Sequence, residues 1–213
     1  MAAGLVLGLA ACAGGLHSDA KPTQVYVLRA PSVAKSASGD PASASIQIAR
    51  PLARPGLASD HIVLVEPDHR MSYYVASRWP APLPDVVEAL ELETLRNSGG
   101  WKTVQDSSSA FSSDYLLQIV IQRFEADYPG RDSPAIHVTL DCTLGKRTDR
   151  EIVASFTAQG SAVASANRLA EVVSAFETAS SQALASIAEQ SLRAVQATQN
   201  REAPVPSMTR YNQ

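Results

Sequence analysis

The sequence predicts one α/β domain of the α+β type, with a mixed and largely antiparallel sheet packed against two main helices. Three observations carry this. In YLLQIVIQRFEADY the odd residues Tyr115, Leu117, Ile119 and Ile121 are apolar. In AIHVTLDCTL the even residues Ile136, Val138, Leu140, Cys142 and Leu144 are apolar, so each run reads as a strand with one wet face. That alternation favours antiparallel neighbours covered on one side over the solid apolar strands of a parallel sheet. Residues 83–97 and 168–195 carry apolar residues at helical spacing instead, and 213 residues suit a single domain with tails.

In chain order, TQVYVLR at 23–29 reads as a first strand, and the Ser-, Ala- and Pro-rich stretch 30–45 as a loop. A short strand at 45–50 follows, then a connection punctuated by Pro51 and Pro55, then the buried strand IVLV within 61–66. Pro67-Asp68-His69-Arg70 is a turn, so 61–66 and the following run form a hairpin. In that run Met71, Tyr73, Val75 and Trp79 share one parity, with only Ser77 breaking it, which predicts that Tyr73 and Trp79 fill the core and Tyr74 faces outward. The helix at 83–97 has Pro84 in its first turn, Asp85 and Glu88 near the positive dipole end, and Gly99-Gly100 as its stop. Its stripe is Leu83, Val86, Val87 and Leu90.

Residues 101–105 read as a strand and the Ser-rich segment up to Asp114 as a loop. The turn at 145–150 leads into a third run marked by Ile152, Ala154 and Phe156. The last helix buries Leu169, Val172, Val173, Phe176, Ala183, Leu184 and Ile187, and its alanines permit close approach to a sheet. REAPVPSMTRYNQ, polar and with two prolines, reads as a mobile tail.

The N-terminus carries a separate signal. In LGLAACAGG, Cys12 follows a run too short for a transmembrane helix, which needs roughly 20 apolar residues. Leu9-Ala10-Ala11-Cys12 fits the lipobox of bacterial lipoproteins, with an aliphatic residue and two small ones ahead of a cysteine. The thiol is the nucleophile that accepts a diacylglyceryl group, and the small residues admit a peptidase to the backbone. Cleavage between Ala11 and Cys12 would leave a lipidated Cys12 as the new N-terminus, held by enough acyl chains for stable anchoring. No charge precedes Cys12, so Met1 reads as an internal or misassigned start with a basic region upstream. Ala13 rather than Asp follows the cysteine, which favours the outer membrane under the enterobacterial sorting rule.

The chain therefore divides into a signal-peptide remnant at 1–11 with its lipobox at 9–12, a tether at 12–22, a folded domain at 23–197 and a flexible tail at 198–213. A Cys12–Cys142 bridge would tie the tether to a strand, but the lipobox explains Cys12 better.

A net charge of −3 without a basic stripe argues against nucleic-acid binding. No G-x-S-x-G, H-E-x-x-H, P-loop or dinucleotide fingerprint occurs, and no Cys/His set has zinc spacing. His17 lies in the tether, His69 in the turn, His61 ahead of a strand and His137 on a polar strand face. Asp141 is four residues from His137, about 13 Å along a strand and out of contact. No catalytic residue, metal or cofactor is assigned beyond the covalent lipid on Cys12.

The order of these features resembles the ABC-type transport auxiliary lipoproteins, the family that includes the paraquat-inducible outer-membrane lipoprotein. The resemblance rests on the lipobox, the early YVL at Tyr26 to Leu28, and IVLVEPDHRMSYYVASRWPAPL. Trp79, Pro82 and Leu83 match the W-x-x-P-L element that opens the family's first long helix. YLLQIVIQRFEAD and the final Ala-rich helix also agree. Many members place an acidic residue between that Trp and Pro; Pro80-Ala81 stands here, so no role of that carboxylate carries over.

The resemblance implies a non-catalytic periplasmic domain anchored to the outer membrane. Its implied partners are a mammalian-cell-entry (MCE) protein and an inner-membrane ABC permease and ATPase, in systems that move phospholipid or other hydrophobic molecules. A homo-oligomeric ring around the conduit is a further expectation, and Tyr74 is the candidate partner contact. The alternative is a structural or assembly lipoprotein of another outer-membrane complex.

Overall fold

The computed structural model describes residues 22–32, 42–130 and 133–202. Its strands are β1 (Gln24–Val25), β2 (Ala42–Ile48), β3 (Leu52–Ala53), β4 (His61–Val65), β5 (Met71–Arg78), β6 (Trp101–Gln105), β7 (Tyr115–Asp127), β8 (Ala135–Lys146) and β9 (Ile152–Val163). The helices are α1 (Leu83–Ser98) and α2 (Leu169–Glu202).

β7 organises the sheet because it is the longest strand and is apolar enough to be buried along its length. Three successive segments pair in parallel along it: β2 through Ile46 opposite Tyr115, β3 through Leu52 opposite Val120, and β4 through Leu64 opposite Ala126. β8 runs antiparallel to β7, and β9 antiparallel to β8. β6 extends the sheet beyond β2, while β5 and then β1 extend it beyond β4. The hairpin of β4 and β5, the 101–105 strand and the antiparallel β7–β8–β9 unit agree with the sequence reading.

The core forms between this sheet and the two helices. Trp79 lies edge-on to both Phe124 and Phe176, at centroid distances of 6.0 and 5.4 Å, and the two phenylalanines stack at 5.3 Å. Phe124 reaches this cluster because of a β-bulge between Ile121 and Arg123, which moves the buried parity from the odd residues to Phe124 and Ala126. Cys142 is buried with a free thiol, as its strand position predicts.

α1 starts after Pro82 with Pro84 in its first turn and ends at Gly99, whose left-handed φ of 63° lets its N–H reach the Arg96 carbonyl. α2 packs chiefly on β9 and β8. Its predicted stripe is buried apart from the half-exposed Leu169.

Several local expectations are corrected. The first strand is only two residues, because β1 has partners only at Ser77 and Arg78 of β5. β2 begins at Ala42, inside the expected loop, and β3 was not anticipated. Ile152 is exposed at the start of an edge strand. α2 continues to Glu202, so residues 198–202 are helix rather than tail; Gln, Arg and Glu are good helix formers and the next proline is Pro204.

Candidate functional site

Residues Ala11 and Cys12, which carry the lipidation and cleavage assignments, lie outside the described residues, as do 203–213. The described histidines do not assemble. His69 occupies the β4–β5 turn with φ 65°, and His137 stands on β8 opposite Glu125 and Ser161. Asp141 accepts hydrogen bonds from Gln122 Nε2 and Thr157 Oγ1, both at 2.7 Å, as a rung across three strands. Among the described residues no group of three or more His, Cys, Asp or Glu side chains could hold a metal ion. No helix of the described chain is long and apolar enough to cross a membrane.

The predicted faces of β5 are exchanged. Tyr73 is exposed, and Tyr74 turns inward against the core. The cause is an irregularity at Ala76, whose φ is 51°. His61 pairs with Arg78 and Val63 with Tyr73, so two steps along β4 span five along β5. Three extra residues invert the parity, which brings Ser77 and Trp79 inward while Met71, Tyr73 and Val75 face solvent. Alternation extrapolated through the bulge could not have found this.

Tyr74, expected to face outward, is thus a half-buried strut. Its hydroxyl donates to Tyr128 Oη at 2.8 Å, and Tyr128 donates to Asn167 Oδ1 at 2.8 Å, joining β5, the end of β7 and the approach to α2. Burial first, then the Tyr128 hydrogen bond, pushes the Tyr74 phenol well above its usual range. Tyr74→Phe is expected to cost about 1 kcal/mol, the loss of one hydrogen bond, measured as a lower urea midpoint at unchanged slope.

At the corner of the sheet the bulge creates a groove of about 440 Å³ bordered by Asp60, His61, Tyr73, Val75 and Arg78. The His61 ring lies 4.7 Å from that of Tyr73, and Arg78 Nη1 is 3.4 Å from Asp60 Oδ2. Val75 is 92% exposed, Val25 and Val27 are exposed on the neighbouring segment, and Met71 is exposed at the other end of β5, opposite Val65. In register Val25 stands opposite Arg78, which gives the two strands one shared outward face. Exposed apolar patches of this kind mark contact sites in many proteins.

A second feature escaped the sequence reading. Glu91 is fully buried, and neither carboxylate oxygen has a hydrogen-bond partner. Burial alone pushes its carboxyl well above the usual range. The Cys142 thiol nearby is also raised, by burial first and then by Glu91 and Asp141. The signal was present in the sequence: Leu83, Val87, Glu91 and Leu95 follow one another at four-residue spacing, so the carboxylate sits in the middle of the buried row.

The mixed sheet and its two helices define an α+β domain with exposed apolar residues on one face of the sheet. The chain belongs to the family of ABC-type transport auxiliary lipoprotein components, whose model matches residues 26–188. Its fold is similar to the crystal structure of a Xanthomonas campestris protein at 26% identity and a TM-score of 0.77, covering 83% of this chain and 99% of that one. An uncharacterized protein has the same fold at 16% identity and a TM-score of 0.63, covering 80% of this chain and 99% of that one. No curated protein sequence matches the chain significantly.

Proposed function

We propose that this protein is a non-catalytic, outer-membrane-anchored lipoprotein on the periplasmic side. In this reading it serves an MCE and ABC-type system that moves phospholipid or another hydrophobic molecule across the envelope. The observation that carries the reading is the family match over the folded domain, together with the Leu9-Ala10-Ala11-Cys12 motif upstream of it. The lipid on Cys12 supplies the anchor, and the domain supplies an attachment point or outlet for the MCE conduit. Several copies around the conduit would give that outlet its symmetry.

Two measurements test the reading. Labelled palmitate is expected to enter the full-length chain and not Cys12→Ser; equal labelling of the two removes the anchor from the proposal. Crosslinking from intact cells with a tagged, lipidated chain is expected to recover an MCE protein with its permease and ATPase. Recovery of an outer-membrane assembly complex without transporter components would replace the transport role with a structural one.

A further inference from the structure

We infer that the outward face of β1 and β5 is seated on the lipid bilayer to which the chain is tethered, and so fixes the orientation of the domain. This rests on the anchor at Cys12 proposed above. The inference begins with the exposed side chains Val25, Val27, Tyr73 and Val75, which lie on β5 and on the segment that pairs with its C-terminal end. The other exposed large apolar residues among those described are Leu52, Ile152 and Val163 at strand ends, Met71 at the start of β5 and Phe111 in the loop before β7.

The position of the chain outside the described residues selects the occupant. Residues 12–21 lead directly into Pro22 and β1, and only twelve residue steps separate Cys12 from Gln24. A chain of that length reaches at most about 40 Å. The patch is therefore the part of the domain covalently closest to the anchor, within about 40 Å of it.

The chemistry of the corner suits an interface between hydrocarbon and water. Val25, Val27 and Val75 present aliphatic surface, while Tyr73 offers an apolar ring with a polar tip. Arg29 and Arg78 are exposed in the same two segments, Arg78 with Asp60 beside it, and place guanidinium groups where anionic headgroups lie.

The test uses the mature chain from Cys12, coupled through the Cys12 thiol to a maleimide-bearing phospholipid in vesicles of phosphatidylethanolamine and phosphatidylglycerol. The coupling supplies the anchor whether or not the cell does, so failure here is distinct from failure of palmitate labelling. Cys142 is buried and does not compete for the maleimide. One variant carries Val75→Trp, and a second carries Val163→Trp at the end of β9, which pairs only with β8 and lies at the opposite edge. The native Trp79 and Trp101 are buried and set the baseline.

With brominated acyl chains in the vesicle, fluorescence of Val75→Trp is expected to be quenched and that of Val163→Trp unchanged. Adding Val27→Asp and Tyr73→Asp to Val75→Trp is expected to abolish the quenching, with circular dichroism unaltered because both positions are exposed. Equal quenching at positions 75 and 163, or none at either, overturns the inference. Absence of quenching combined with protection of position 75 by a partner protein would assign the face to that protein instead.

Discussion

Gly160→Ala is expected to destabilise the protein by more than about 3 kcal/mol, beyond the usual cost of overpacking a core. A Cβ built on Gly160 lies 1.9 Å from the Ala179 carbonyl oxygen and 2.8 Å from its carbon, where real Cβ atoms are essentially never found. Both atoms are backbone of α2, so no rotamer relieves the clash and the helix itself must lift from β9. Lifting it loosens Val172, Phe176, Ala183 and Leu184, all buried on the same helix. It also breaks the 2.9 Å hydrogen bond in which Ser161 N–H donates to Gln182 Oε1, a bond that satisfies an edge-strand donor. Gly100→Ala is the control: its Cβ would meet the Leu192 side chain, nearest at Cδ2 at 2.8 Å, the end of a flexible side chain, for a cost of about 1 kcal/mol. Urea unfolding of the two variants measures the difference, and near-equal midpoints would refute the backbone contact.

Glu91→Leu is expected to have the opposite sign, raising stability at pH 7 by about 1–3 kcal/mol. The substitution removes a buried group that no partner satisfies and leaves an apolar side chain of similar size in the row Leu83, Val87, Leu95. The pH dependence follows from the direction of the shift. In the folded protein the Glu91 carboxyl keeps its proton well above the usual value of 4.5, whereas the unfolded chain releases it near that value. Above pH 4.5 the folded state therefore binds more protons than the unfolded one, and the Glu91 contribution to stability falls as pH rises. Asp68, Asp106 and Asp114 are shifted down, so their contributions are lost only in acid, below the usual aspartate value of 3.8. Glu91→Gln keeps the size and cannot ionise. Its stability relative to wild type is expected to grow between pH 5 and pH 8 by denaturation at each pH. A difference that stays constant over that range would mean that the carboxyl is not held protonated.

The elements that were legible in the sequence are those whose signal is local. Residues 135–144 alternate without interruption, and β8 buries all five of the residues that the alternation names, Ile136, Val138, Leu140, Cys142 and Leu144. Pro84 and Gly99 mark the ends of α1 because fixed and permissive backbone angles act on neighbouring residues alone. The Cys12 motif is the basis of the proposed anchor.

The candidate surface was illegible because a bulge is a relation between two strands. Nothing in MSYYVASRW announces that Ala76 takes a positive φ; it does so where β5 must accommodate extra length against β4. Glu91 was visible as a helical position, but its depth depends on α1 lying against the sheet, which periodicity alone does not give.

By itself, then, the sequence determined the two helices, the alternating strands and the family pattern, because propensity, period and short motifs act over a few neighbouring residues. Only the tertiary structure decided that β2, β3 and β4 share one edge of β7, that Tyr73 is exposed while Tyr74 packs against the core, and that Glu91 has no hydrogen-bond partner. Those outcomes depend on register and on packing between segments remote in sequence, where one inserted residue reverses every side chain beyond it.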